Sequence, residues 1–184
     1  MHSSRSDGHP LNHASAPCAA NAAAAGASSP PARFDADAYR EVNALSSCPE
    51  GRVYTAVRVG EYAGVRKEQL VVVKVYYKAH AATDEARLAV LREIACMRKA
   101  TDAGVPNVLR LIDAGEDSHN WYIVTNYTPC PEGDLYGYLH NMGSTPWAAE
   151  DVVDVVLRPL LAALDGLQKL HICHRDIKVC MSTR

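Results

Sequence analysis

The sequence predicts an α+β domain, in which an antiparallel sheet with one large helix precedes a mainly helical segment. Three observations carry that prediction. Val53, Thr55, Val57 and Val59 alternate with Tyr54, Ala56 and Arg58, and after Gly60 and a turn containing Gly64 a second apolar run extends from Leu70 to Tyr76. Period two followed by a turn is the mark of paired strands. Val90, Leu91, Ile94 and Met97 then share one face of a helix expected over residues 84–100. Val153, Val156, Leu157, Leu160, Leu161 and Leu164 recur at helical spacing in a second helix that reaches Leu170.

Size and composition bound what such a domain can do. A chain of 184 residues suffices for one domain with a sizeable core. Its net charge of -2 provides no global field, so no nucleic-acid partner is expected. No apolar run approaches membrane-spanning length, so no membrane partner is expected either. The six cysteines form no C-x-x-C pair, which favours scattered reduced thiols in the cytoplasm or nucleus. His171, Cys173 and His174 lie close together but have no second pair of ligands to complete a metal site. Residues 1–33 are rich in Ala, Ser and Pro and poor in large apolar side chains, which predicts a disordered tail before a domain over 34–184. The same bias suits an organellar transit peptide, with Arg5 and Arg33 as its positive charges.

The elements follow in order. Thr83 can cap the first helix, with Asp84 and Glu85 in its first turn and Arg98 and Lys99 in its last, as the helix dipole favours. Beyond the break at Gly104, Val105, Pro106 and Asn107, two short strands are expected over 108–112 and 122–125, joined by a polar turn over 116–120. A loop rich in proline and glycine leads to a short helical stretch over 134–141. Thr145 and Pro146 form a helix-start signal, and Pro159 should kink the helix that follows or leave a carbonyl unpaired.

The stretch His174-Arg175-Asp176-Ile177-Lys178 resembles the catalytic loop of protein kinases, and the residues upstream fall in that family's order. Lys74 in Val-Val-Val-Lys resembles the third-strand lysine that contacts nucleotide phosphates, and Glu93 the helix glutamate that pairs with it. Alone, either residue would read as a solvated charge. Residues 104–111 resemble the family's His-Pro-Asn-Val turn, with Val105 in place of His. Residues 122–127 resemble the strand and hinge that meet adenine, which implies Thr125 as gatekeeper and Asn126, Tyr127 and Thr128 as hinge. Val53 and Val72 can form an apolar ceiling over the adenine ring, or can be ordinary sheet core. Asp134 stands where kinases often place an acid near the ribose.

The resemblance implies a kinase small lobe over about 39–127, a hinge, and the first helices of a helical lobe over about 128–184. It implies Asp176 as proton acceptor, Lys178 as stabiliser of the transferred phosphate, and Arg175 as partner of a phosphorylated activation loop. Lys178, two places after the Asp, is the serine/threonine form of the motif. ATP and magnesium are the implied cofactors, and a protein hydroxyl the implied acceptor.

Two departures set this chain apart. The family's Gly-x-Gly-x-x-Gly-x-Val loop reads here Ser46-Ser47-Cys48-Pro49-Glu50-Gly51-Arg52-Val53, keeping one glycine and adding an acid and a proline. Backbone cannot approach a triphosphate closely there. Met181 stands where the family places a magnesium-holding Asn, and no Asp-Phe-Gly follows among the 184 residues. A truncated, inactive kinase is therefore expected, with a non-catalytic nucleotide- or protein-binding module as the alternative.

Overall fold

The three valines Val71, Val73 and Val75, alternating along one strand, are all buried, and they place the main core on one face of a five-stranded antiparallel sheet. The computed structural model describes residues 31–62, 65–80, 83–129, 135, 137 and 148–177. Its strands are β1 (Tyr39–Cys48), β2 (Gly51–Tyr62), β3 (Val65–Tyr77), β4 (Leu111–Glu116) and β5 (Asn120–Asn126), and helix α1 (Asp84–Asp102) lies between β3 and β4 in sequence. The order across the sheet is β1-β2-β3-β5-β4. This α+β architecture is the expected one.

Alternation splits the side chains between two faces. Tyr54, Ala56, Val71, Val73, Val75, Tyr122 and Val124 form one buried cluster, while Trp121, Ile123 and Ala114 on the opposite face pack against Val90 and Ile94 of α1. Burying side chains such as Val71, Val73, Ile123 and Val124 contributes about 1.5–3 kcal/mol each, before the entropy of ordering them. At the start of β2, Gly51 is demanded by the sheet itself: a Cβ there would lie 2.0 Å from the Val75 carbonyl oxygen.

Several boundaries differ from expectation. β1 is a strand beyond the two expected before α1; its residues are mostly polar and exposed, and it holds the sheet edge by backbone pairing to β2 with two register shifts. β4 starts at Leu111 rather than residue 108, and Leu109 lies half exposed in the preceding turn. Arg33, expected in the tail, forms a parallel bridge with Glu116. The Glu116 amide donates to the Ala32 carbonyl at 3.0 Å and the Phe34 amide to the Glu116 carbonyl at 3.0 Å. Phe34 stacks on Tyr122 and Tyr39, with ring centroids 4.1 and 5.1 Å away. Gly115 permits that approach, since its Cβ would meet the Ala32 carbonyl oxygen at 2.6 Å. Residues 1–30 of the expected tail lie outside the described residues.

Thr83 caps α1 as its sequence suggests, its hydroxyl accepting from the Ala86 amide at 3.2 Å. The second helical run has three parts: α2 (Ala149–Asp151), a π-helical stretch (Val152–Leu157) and α3 (Arg158–Lys169). Pro159 explains the middle one. It has no N–H for the carbonyl four residues back, and just before it the Arg158 amide reaches five residues back to Val153. The expected start signal at Thr145 and Pro146 and most of the stretch over 134–141 lie outside the described residues.

Candidate functional site

β2, β3 and β5 bring the expected nucleotide residues onto one face. Val53 pairs with Lys74, and Val72 pairs with both Thr55 and Thr125, so Val53, Val72, Lys74 and Thr125 all point to the side of the sheet that carries α1. Val53 and Val72 are only half buried, whereas Thr125 is buried. From α1, Glu93 meets this face, and its Oε1 accepts a hydrogen bond from Lys74 Nζ at 2.9 Å. The two side chains are 41% and 35% exposed, so solvent screens the pair and its value lies in position more than in stability.

One partner escaped the sequence reading. The Tyr76 hydroxyl donates to Glu93 Oε2 at 2.5 Å, and Lys74 Nζ lies 4.7 Å from the centre of the Tyr76 ring. Burial first, and then the Glu93 charge, push the Tyr76 phenol well above its usual range, so it stays protonated and remains a donor. The signal was present: Tyr76 is two residues after Lys74 in a strand and must share its face.

The turn between β1 and β2 is short. Cys48 pairs with Gly51, leaving Pro49 and Glu50 as the turn, and the Tyr77 amide donates to the Glu50 carbonyl at 2.9 Å. The Glu50 carboxyl is held below its usual range by its own backbone N–H and then by the Cys48 side chain, so the turn carries a negative charge at neutral pH. Gly51 lies within the sheet rather than in the turn.

At the hinge, Asn126 is occupied with structure. Its Oδ1 accepts from the Arg110 amide at 2.6 Å, its own amide donates to the Arg110 carbonyl at 3.1 Å, and its Nδ2 donates to Thr128 Oγ1 at 3.2 Å. Tyr127 is half buried and Thr128 exposed. Asp134 and Lys178 lie outside the described residues.

Asp176 follows α3 on a separate segment. The helix ends with the Ile172 amide donating to the Leu167 carbonyl at 2.9 Å, and His171 and Arg175 take positive φ angles of 56° and 66°. Such backbone angles in non-glycine residues are uncommon and are held by their surroundings. The Asp176 amide donates to His174 Nδ1 at 3.4 Å, which gives His174 a structural contact. The helix before this segment is tied to the end of α1 and to the turn that follows it. Lys99 Nζ donates to the Leu170 carbonyl at 2.8 Å, Asn107 Nδ2 donates to the Pro159 carbonyl at 3.2 Å, and Val105 packs so closely on Gly166 that a Cβ there would lie 2.6 Å from Val105 Cγ1. Val105 in place of the usual His is thus matched by a glycine on the helix it meets.

Comparison with known families places this arrangement. The protein kinase domain model matches residues 49–180, well over half of the chain. The chain belongs to the protein kinase family. It is similar to the serine/threonine-protein kinase ATG1a of Arabidopsis thaliana, 37% identical over 73 residues, which is 40% of this chain and 11% of that one. It is likewise similar to the 3-phosphoinositide-dependent protein kinase B of Dictyostelium discoideum, 37% identical over 73 residues, 40% of this chain and 8% of that one. The serine/threonine-protein kinase TIO of Arabidopsis thaliana aligns over 140 residues at 28% identity, 76% of this chain and 9% of its own length. The chain therefore spans about a tenth of the length of these curated relatives. Among the described residues no helix is long and apolar enough to cross a membrane, and no group of three or more His, Cys, Asp or Glu could hold a metal ion.

Proposed function

We propose that the chain binds the adenine part of a nucleotide as a serine/threonine protein kinase does, and that its 184 residues do not by themselves transfer the ATP γ-phosphate to a protein hydroxyl. The observation that carries this is the Lys74–Glu93 pair at 2.9 Å on the face shared with Val53, Val72 and Thr125, in a sheet whose β1–β2 turn consists of Pro49 and the acidic Glu50. The apolar and hinge residues suit a purine. The turn does not suit phosphates: Pro49 has no N–H to offer and Glu50 repels them.

Magnesium fits these residues poorly. It is a hard cation that takes oxygen ligands, and Met181 offers a thioether where the family has the Asn carbonyl. Asp176 and Lys178 would keep the roles the family gives them, as proton acceptor and as stabiliser of the transferred group, wherever the missing oxygen ligands were supplied. The altered turn and Met181 also favour the second reading, a nucleotide- or protein-binding module without transfer. We place the chain in the cytoplasm or nucleus, a reading supported by Cys48, Cys96 and Cys173, which are all free thiols.

Purified chain incubated with radiolabelled ATP, magnesium or manganese and a generic Ser/Thr substrate should give no more incorporation than its Asp176→Asn variant. Losing one preorganised electrostatic contact costs about 100- to 1,000-fold in rate, and at least two are missing here. Incorporation that Asp176→Asn abolishes would overturn the proposal.

A further inference from the structure

Glu93 is gripped from both sides. Lys74 Nζ donates to Oε1 at 2.9 Å and the Tyr76 hydroxyl to Oε2 at 2.5 Å, so each carboxylate oxygen has its own donor. The two donors also touch, with the ammonium 4.7 Å from the ring centre. They are not equivalent holders. Lys74 reaches Glu93 on a flexible four-carbon stem and is 41% exposed, conditions under which an ion pair contributes little. Tyr76 has two side-chain torsions, and its ring packs against the cluster of Val90, Ile94, Ala114, Trp121 and Ile123 that seats α1 on the sheet. A neutral hydroxyl donating to a carboxylate forms a charge-assisted bond at little desolvation cost to the donor.

We propose that Tyr76 is a positioning residue, which holds Glu93 and with it helix α1 in the docked arrangement without nucleotide and without help from Lys74. In the family pattern the helix glutamate is tied by the lysine alone, so an anchored helix and a committed lysine go together. Here the phenol carries the anchoring. Lys74 is left able to turn from Glu93 towards a ligand while the helix stays in place.

The test is hydrogen exchange of the full chain with no nucleotide present, so its outcome is separate from the adenine reading. Amides of Val90 and Ile94 report α1, and those of Ile123 and Val124 report the sheet. Tyr76→Phe, which removes one oxygen, should lower protection in α1 by about tenfold or more relative to the sheet. Lys74→Met should lower it by less than about fivefold. In a Glu93→Ala background, which leaves the phenol no acceptor there, Tyr76→Phe should add no more than about twofold. The proposal is overturned if Tyr76→Phe leaves α1 unchanged, if it weakens α1 and sheet alike, if its effect is the same with and without Glu93, or if Lys74→Met alone releases the helix.

Discussion

Asp117 shows how one side chain sets a turn and a pH dependence together. It closes the link between β4 and β5, accepting from the amides of His119 and Asn120 at 2.7 Å each and from the Tyr122 hydroxyl at 2.7 Å. Burial opposes its charge, but these donors outweigh it and hold the carboxyl below its ordinary value of 3.8. A carboxyl with a depressed folded value stabilises the fold fully above that ordinary value, and the contribution is lost as pH falls through the lowered one. Asp117→Asn should therefore cost about 1–2 kcal/mol at neutral pH in urea unfolding, with the gap to the parent shrinking below about pH 4. A gap that does not change with pH would mean the charge plays no part. At this scale the sequence was uneven. Lys74 and Glu93 were legible because strand lysine and helix glutamate occur in a recognisable order. Tyr76 was not, since a tyrosine in a strand reads as core until a carboxylate is seen within reach of its hydroxyl.

Among the elements, those with clear apolar periodicity were readable and those without it were not. β2, β3 and α1 advertise themselves through alternating valines and the Val90, Ile94 face. β1 offers mostly polar, exposed side chains, so only its pairing with β2 defines it. Val108 and Leu109 imitate a strand start, yet they belong to the turn that Asn107 enters at a φ of 57°. The helical run from Val152 to Lys169 was legible as a helix, whereas the π-helical register before Pro159 depends on a missing N–H and leaves no apolar signature. That run buries Ala163 and Leu167 and leaves Val153, Leu157 and Leu161, spaced by four, at 42%, 44% and 64% exposure. Three large side chains in line make an apolar stripe that associates with its like. The purified chain should self-associate at high concentration, and the double variant Leu157→Glu, Leu161→Glu should remain monomeric in sedimentation velocity with unchanged exchange protection in β3 and β5. A parent that is monodisperse at high concentration would contradict this.

At the scale of the molecule, the parts of a kinase cleft are assembled unequally. The sheet face with Val53, Val72 and Thr125, the docked α1 with Glu93, and the ties from Lys99 and Asn107 to the second helical run are all in place. The turn between β1 and β2 is tied to β3, with the Glu50 carbonyl accepting from the Tyr77 amide, and the Glu50 carboxyl is held below its usual range. Under the function proposed above, this cleft accepts an adenine ring and not a triphosphate. Calorimetric titration of the chain with adenosine, and separately with ATP and magnesium, distinguishes the two modes of binding. Each tenfold in affinity corresponds to about 1.4 kcal/mol, so a productive grip on three phosphates would be unmistakable. Dissociation constants for adenosine and ATP should lie within about threefold of each other, and ATP should gain once Glu50 is replaced by glycine. ATP binding more than about tenfold tighter than adenosine in the unaltered chain, and losing that advantage in Lys74→Met, would contradict that function.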